Sequence, residues 1–244
     1  PGPDRGPVGY LPFSLLGGRS IILWPPSTST EPRYLPTRRA VEDRRMVRMT
    51  AHLDAHGLLS GQVIDRLQGA EAIAVGRMMG QLEKSERPRL VERILIKSIT
   101  SGQIHSLDPT DGTDGMDALT LKYQFSGRLP SPNRLGCFPI QPGQTFAMLE
   151  LRQTPLILSL PVDQTVEIQM TSDTPFTVDA SPMDVASGPH RFSRRIVKDG
   201  NRMTVTCRLQ IAGGHILPKD YPVFRDWARQ VDRAEQVSIT HKIQ

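Results

Sequence analysis

HRFSRRIVKDGNRMTVTCRLQI, residues 190–211, carries a turn at its centre and a strand on its far side. Lys198-Asp199-Gly200-Asn201 is the turn: Asp hydrogen-bonds nearby backbone, and Gly accepts positive φ. Beyond it Met203, Val205, Cys207, Leu209 and Ile211 alternate with polar residues. That period of two belongs to a strand with one buried face. The stretch reads as a β-hairpin.

The same period recurs on both sides. ALTLKYQF (118–125), FAMLEL (146–151), LILSLPV (156–162), TVEIQMT (165–171) and QVSITHKI (236–243) read as short strands. RRMVRMTAHLDAHGLLSGQVIDRL (44–67) reads as a second hairpin, with Val47, Met49, Ala51 and Leu53 alternating and a turn from Asp54 to Gly57. Three segments break the pattern. Val75, Met79 and Leu82 fall at helical spacing after Gly69. Leu90, Val91, Ile94 and Leu95 form a second stripe, for which Ser85 is the expected cap, with Glu86 and Pro88 in the first turn. Tyr221, Phe224, Ala228, Val231 and Ala234 mark a third, with Trp227 beside them, Asp220 as expected N-cap and Pro222 in the first turn. Many short strands with few helices predict a mainly β fold, an antiparallel β-sandwich with helical insertions at 44–244.

Residues 1–43 read differently. Pro1, Pro3, Pro7 and Pro12 exclude a helix, and the interleaved glycines add slack. The expectation is an extended arm following an upstream domain, with one apolar burst at SIILWPP (20–26). The chain of 244 residues has a net charge of +5 and a pI near 9.5. Its basic residues are nevertheless scattered among 25 acids, without the interleaved aromatics that stack bases, which argues against nucleic-acid binding. The densest basic run, Arg38, Arg39, Arg44, Arg45 and Arg48, predicts a solvated strand edge guarded by Arg. No apolar run is long enough to cross a membrane as a helix.

Four constellations bear on chemistry. Asp108, Asp111, Asp114 and Asp117 recur every third residue with Gly112 and Gly115 between them. Calcium takes six to eight oxygens on a flexible loop, so this is the candidate metal site, although the spacing is not that of an EF-hand. The alternative is a solvated loop of Asx turns. His52 and His56 are four apart, but the turn at 54–57 separates them, so they are read as strand-edge residues. His215 and Asp220 invite pairing, yet a helix cap and a core Tyr account for that stretch. Cys137 and Cys207 form no zinc-type pair. Cys207 is expected buried and inert, and a Cys137–Cys207 disulfide is the alternative in an oxidising compartment. No cofactor motif is present.

The C-terminal order of elements carries a resemblance. LELRQTPLILSLPVDQTVEIQM gives an Arg-x-x-Pro strand, a polar turn and a strand; the KDGN hairpin follows, then ILPKDYPVFRDWARQVDRAEQVSI. This resembles the C-terminal β-sandwich of large bacterial transglutaminase-like proteins, which carry an N-terminal β-sandwich of unknown function and a papain-like core upstream. LDAHGLLSGQV with LQGAEAIAVGRMM, and the opening PVGYLPFSLLGGRSIIL, resemble the segments that follow that core. The resemblance implies a non-catalytic accessory domain of a periplasmic or cell-envelope protein, packed on upstream domains or a protein partner. The core's nucleophile, base and orienting acid are not among these residues, and neither cysteine opens a helix where a thiolate would be stabilised. The rival readings are that the chain shapes the cleft of an active cysteine acyltransferase or peptidase whose Cys-His-Asp lies upstream, or that it is a carbohydrate-binding sandwich. The last needs an exposed aromatic platform, which 5% aromatics and the contexts of Trp24 and Trp227 do not favour.

Overall fold

The hairpin at 190–211 forms as β12 (His190–Asp199) and β13 (Arg202–Ile211), with Gly200 at φ +53° in its turn. The computed structural model describes residues 43–95, 100–111, 118–128, 134–136 and 140–241, with two short strands at 19–20 and 33–34. The latter, β1 (Arg19–Ser20) and β2 (Arg33–Tyr34), pair antiparallel. The rest of the expected arm, Arg38, Arg39 and Trp24 among it, lies outside the described residues.

The second expected hairpin is β3 (Arg44–Leu53) and β4 (Leu58–Gln68). Its turn is an Asx turn: Asp54 Oδ1 accepts the N–H of His56 at 2.9 Å and of Leu58 at 2.8 Å, and Gly57 sits at φ +81°. Gly69 at φ +74° ends β4, and α1 (Ala70–Gln81) and α2 (Arg87–Leu95) follow. Ser85 does not cap α2. It lies in the preceding turn, where Glu86 Oε2 accepts the Glu83 N–H at 3.3 Å. Next come β5 (Thr100–Asp111) and β6 (Ala118–Arg128), a further antiparallel pair.

Then β7 (Arg134–Gly136), α3 (Pro142–Phe146), β8 (Leu156–Leu158), β9 (Val162–Ser172), β10 (Phe176–Asp179) and β11 (Met183–Ser187) lead into the β12–β13 hairpin. β14 (Gly214–Ile216), α4 (Tyr221–Ala234) and β15 (Gln236–His241) close the order. Eight strands form one sheet in the order β11-β12-β13-β9-β3-β4-β6-β5. The expected mainly β class holds. The sheet is mixed rather than wholly antiparallel, because β3 and β9 pair parallel from Arg45↔Gln164 to Leu53↔Ser172. Strands so far apart in sequence are not bound by hairpin geometry, and the elements between them supply the crossover. β3 is therefore central, and the expectation of an Arg-guarded edge is corrected: Arg44 and Arg48 are exposed on the sheet's outer face, while Arg45 is buried.

The central strands keep one register of inward positions, while β5 shifts register against β6 between Thr100 and Gln103 and again between Ile104 and Ser106. Met170, Ile168 and Val166 of β9 stand beside Ala51, Met49 and Val47 of β3, and beside Met203, Val205 and Cys207 of β13. The second layer is built from helices and two small sheets, β10-β15-β7 and β14-β8. α1 packs on β4 and β6, α2 on β5, and α4 on β11, β15 and α3. The expected stripe of α4 is buried, Trp227 included. Asp220 does not cap it with its side chain. It is already helical in backbone, and the Leu217 carbonyl accepts the N–H groups of Asp220 (2.9 Å) and Tyr221 (3.0 Å) instead.

FAMLEL is not a strand. Large apolar side chains fall in both alternating sets, Phe146 and Met148 in one and Leu149 and Leu151 in the other, so neither face is a polar one. Pro142–Phe146 folds as α3 with Asp232 of α4 accepting the N–H groups of Gly143 (2.8 Å) and Gln144 (2.9 Å). Gly143 is required there, since a Cβ would meet Asp232 Oδ2 at 2.5 Å. No helix among the described residues is long and apolar enough to cross a membrane.

Candidate functional site

Charged residues occupy core-face positions where β3 meets its neighbours. Arg45 is 3% exposed and Asp65 0%. Arg45 Nε lies 3.0 Å from Asp65 Oδ1 and Nη2 2.6 Å from Oδ2, a bidentate fork. Its Nη1 lies 2.6 Å from Glu71 Oε1. Glu71 is placed by the first turn of α1, whose start is tied to the residue that precedes β3: the Ala70 N–H donates to Asp43 Oδ1 at 2.8 Å. Gly69 makes that approach possible, since a Cβ there would lie 2.2 Å from the same oxygen.

Burial pushes the Arg45 guanidinium down, but the charge and hydrogen bonds of Asp65, then Glu71, more than offset it, so its proton is held above the ordinary range. Burial raises the Glu71 carboxyl, and the Arg45 charge only partly restrains it. Tyr123, on β6, is raised by burial and then by Asp65.

Above this cluster opens a cleft of about 370 Å³. Asp43, Arg44, Arg45 and Glu71 line it from one side. Phe146, Ile157 and the run from Ser159 to Gln164 line it from the other. Gln164 is 3% exposed, and its Oε1 accepts no hydrogen bond among the described residues. The walls are largely apolar and the floor is rich in acceptors.

Residues 138–240 match the family model DUF3858, a domain of unknown function with a solved structure. That match takes in α3, α4 and every strand from β8 to β15, and leaves β3 to β6 with α1 and α2 outside it. The cleft therefore lies where the matched segment meets the rest of the chain: Glu71 and Arg45 come from outside it, Gln164 and Leu160 from within. No curated protein matches the chain.

A second cleft, also about 370 Å³, is lined by His190, His215, Asp220 and Phe224. His190 packs on the Phe224 and Trp227 rings at 5.1 and 5.6 Å between centroids, and its Nδ1 accepts the Ala212 N–H at 3.2 Å. Burial lowers its proton affinity.

The residues singled out in the sequence are mostly elsewhere. Asp108 is exposed on β5 opposite Lys122, Asp111 ends that strand, and Asp114 and Asp117 lie outside the described residues. His52 is on the outer face, with Nε2 3.1 Å from Asp173 and Nδ1 3.0 Å from Thr171, while His56 is exposed in the turn. Among the described residues no three His, Cys, Asp or Glu side chains are grouped to hold a metal. Cys207 is wholly buried on the core face of β13, and Cys137 lies outside the described residues. Every described aromatic side chain is buried or half-buried, so none offers a sugar platform. Sequence reasoning missed Arg45, Asp65, Glu71 and Gln164. A signal existed: Arg45 and Asp65 both interrupt an otherwise apolar alternation on paired strands.

Proposed function

We propose that the chain is a non-catalytic accessory module of a transglutaminase-like cell-envelope protein, and that it docks on the neighbouring papain-like domain. The observation that carries this reading is the segment following α3. Met148, Leu149 and Leu151 are 74, 54 and 76% exposed, yet the backbone that bears them is pinned to α4. Tyr221 Oη donates to the Leu149 carbonyl at 2.8 Å, and Arg225 Nη1 to the Glu150 carbonyl at 2.6 Å. Arg225 and Arg229 also grip the Glu150 carboxylate at 2.9 and 2.8 Å, which holds that acid below its ordinary range. Large apolar side chains held out on a fixed backbone suit an interface better than a solvent loop. The resemblance of the C-terminal elements supplies the partner, and any catalytic Cys-His-Asp belongs to it.

The test is sedimentation velocity of this chain with the separately produced upstream core of its parent polypeptide. A one-to-one complex is expected, lost when Met148→Glu and Leu151→Glu are combined. Undiminished binding by the double variant, or self-association alone, refutes the reading.

A further inference from the structure

We propose that the cleft between β3, α1 and β9 is a binding site for a ligand with an apolar body and a terminal ammonium group. Ile157, Leu160 and Phe146 supply apolar wall, and the volume of about 370 Å³ is at the lower end for small-molecule sites. The polar demand lies at the floor. Gln164 Oε1 is buried with no donor among the described residues, and such an acceptor costs free energy until a donor reaches it. Glu71 is a second acceptor, with a third of its side chain open.

The sign of charge selects among donors. The chain is basic overall, yet three carboxylates (Asp43, Glu71, Asp163) line this cleft against two guanidinium groups. One of those two, Arg45, is locked by its fork onto Asp65 beneath the floor. Asp163 is already paired with Arg208 at 3.2 Å and Arg44 at 3.9 Å, so a carboxylate or phosphate would face Glu71 and Asp43 with no cation left to meet it at the floor. A pure hydrocarbon would leave Gln164 unsatisfied. An ammonium has three donors and no acceptor, so it can serve Gln164 and Glu71 together. A free alkylamine and a lysine side chain of a bound peptide share this chemistry. The inference is independent of the docking reading, which rests on 147–151.

The test is calorimetric titration of the full chain at pH 7.5 with hexylamine, hexanol and hexanoate. A capped Ala-Leu-Lys-Leu-Ala peptide is run beside its norleucine analogue. Hexylamine is expected to bind at least tenfold more tightly than hexanol, and hexanoate not at all. Glu71→Gln and Gln164→Leu should each weaken the amine about tenfold, whereas Asp108→Asn on β5 should not. Glu71→Gln leaves the Arg45–Asp65 fork in place, so its result stands if Gln164→Leu fails to fold. A lysine peptide that outbinds both hexylamine and its analogue assigns the site to protein side chains; the reverse order assigns it to free amines. Equal affinity for hexylamine and hexanol, no binding of any amine, or indifference to Glu71→Gln overturns the proposal.

Discussion

Replacing Arg45 by Leu removes the cation from two carboxylates at once. Asp65, wholly buried, loses a bidentate partner, and Glu71 loses its 2.6 Å contact. Deleting one member of a buried pair leaves an uncompensated charge and costs about 3–5 kcal/mol. For a chain of this length that lowers Tm by about 6–20 °C, at roughly 2–4 °C per kcal/mol. Arg45→Leu combined with Asp65→Leu removes charge and countercharge together, so it should recover at least half of the loss. The pH dependence has a definite sign. Burial already places the Glu71 carboxyl above its unfolded value, so its contribution favours folding at low pH and fades as pH rises through the raised value. Without Arg45 that rise is larger, because Asp65 still repels the Glu71 charge, and protonating Glu71 removes that repulsion. The deficit of Arg45→Leu should therefore be greatest at pH 8 and shrink at pH 5. Urea titrations of wild type, both single variants and the double variant at the two pH values measure all of this. A loss below about 1 kcal/mol from Arg45→Leu would refute the account of a desolvated pair. So would single losses that simply add in the double variant.

Phe224→Ala opens a cavity beside His190 and Trp227 and should cost about 3–5 kcal/mol in urea denaturation, while Arg229→Ala, which loses only an ion pair to the exposed Glu150 carboxylate, should leave the midpoint near wild type. Gly61→Ala should destabilise by at least about 1–3 kcal/mol, because its Cβ would lie 2.1 Å from the Thr50 carbonyl oxygen and the β3 backbone would have to shift; a wild-type Tm would contradict the register of the hairpin. His190 is held neutral by burial, with a folded value below its unfolded one, so the stability it contributes is full above about pH 6.5 and is lost as pH falls. The urea midpoint should accordingly drop more between pH 7 and 5 in wild type than in His190→Gln.

Much of this was legible in the sequence, for local reasons. Asp54 to Gly57 and Asp199-Gly200 specify their turns by themselves, and the alternation from Met203 to Ile211 or the stripe from Tyr221 to Ala234 needs only one buried face. What was not legible depends on partners far along the chain. Nothing in the RRMVRM run at 44–49 says that β9 will lie beside it, so its arginines looked like edge guards. FAMLEL looked like a strand because the Asp232 cap on α3 and the Tyr221 and Arg225 grips come from α4. The floor of the cleft was missed for the same reason: Glu71 and Gln164 meet only once both halves of the sheet are joined.

The parallel join between β3 and β9 has a consequence in time as well as in space. During synthesis, Leu53 leaves the ribosome long before Ser172, the residue it finally stands beside. At about 5–20 residues per second that interval is on the order of ten seconds. Throughout it, β3 presents an open row of N–H and C=O groups, the kind of template on which chains aggregate. Arg44 and Arg48, which in the finished sheet merely sit 3.9 and 3.8 Å from Asp163 and Glu167 of β9, are then the charges beside that bare row. Charge beside an unpaired strand is one of the ways an open edge is kept from pairing with another chain, and β9 brings its two acids to the same positions.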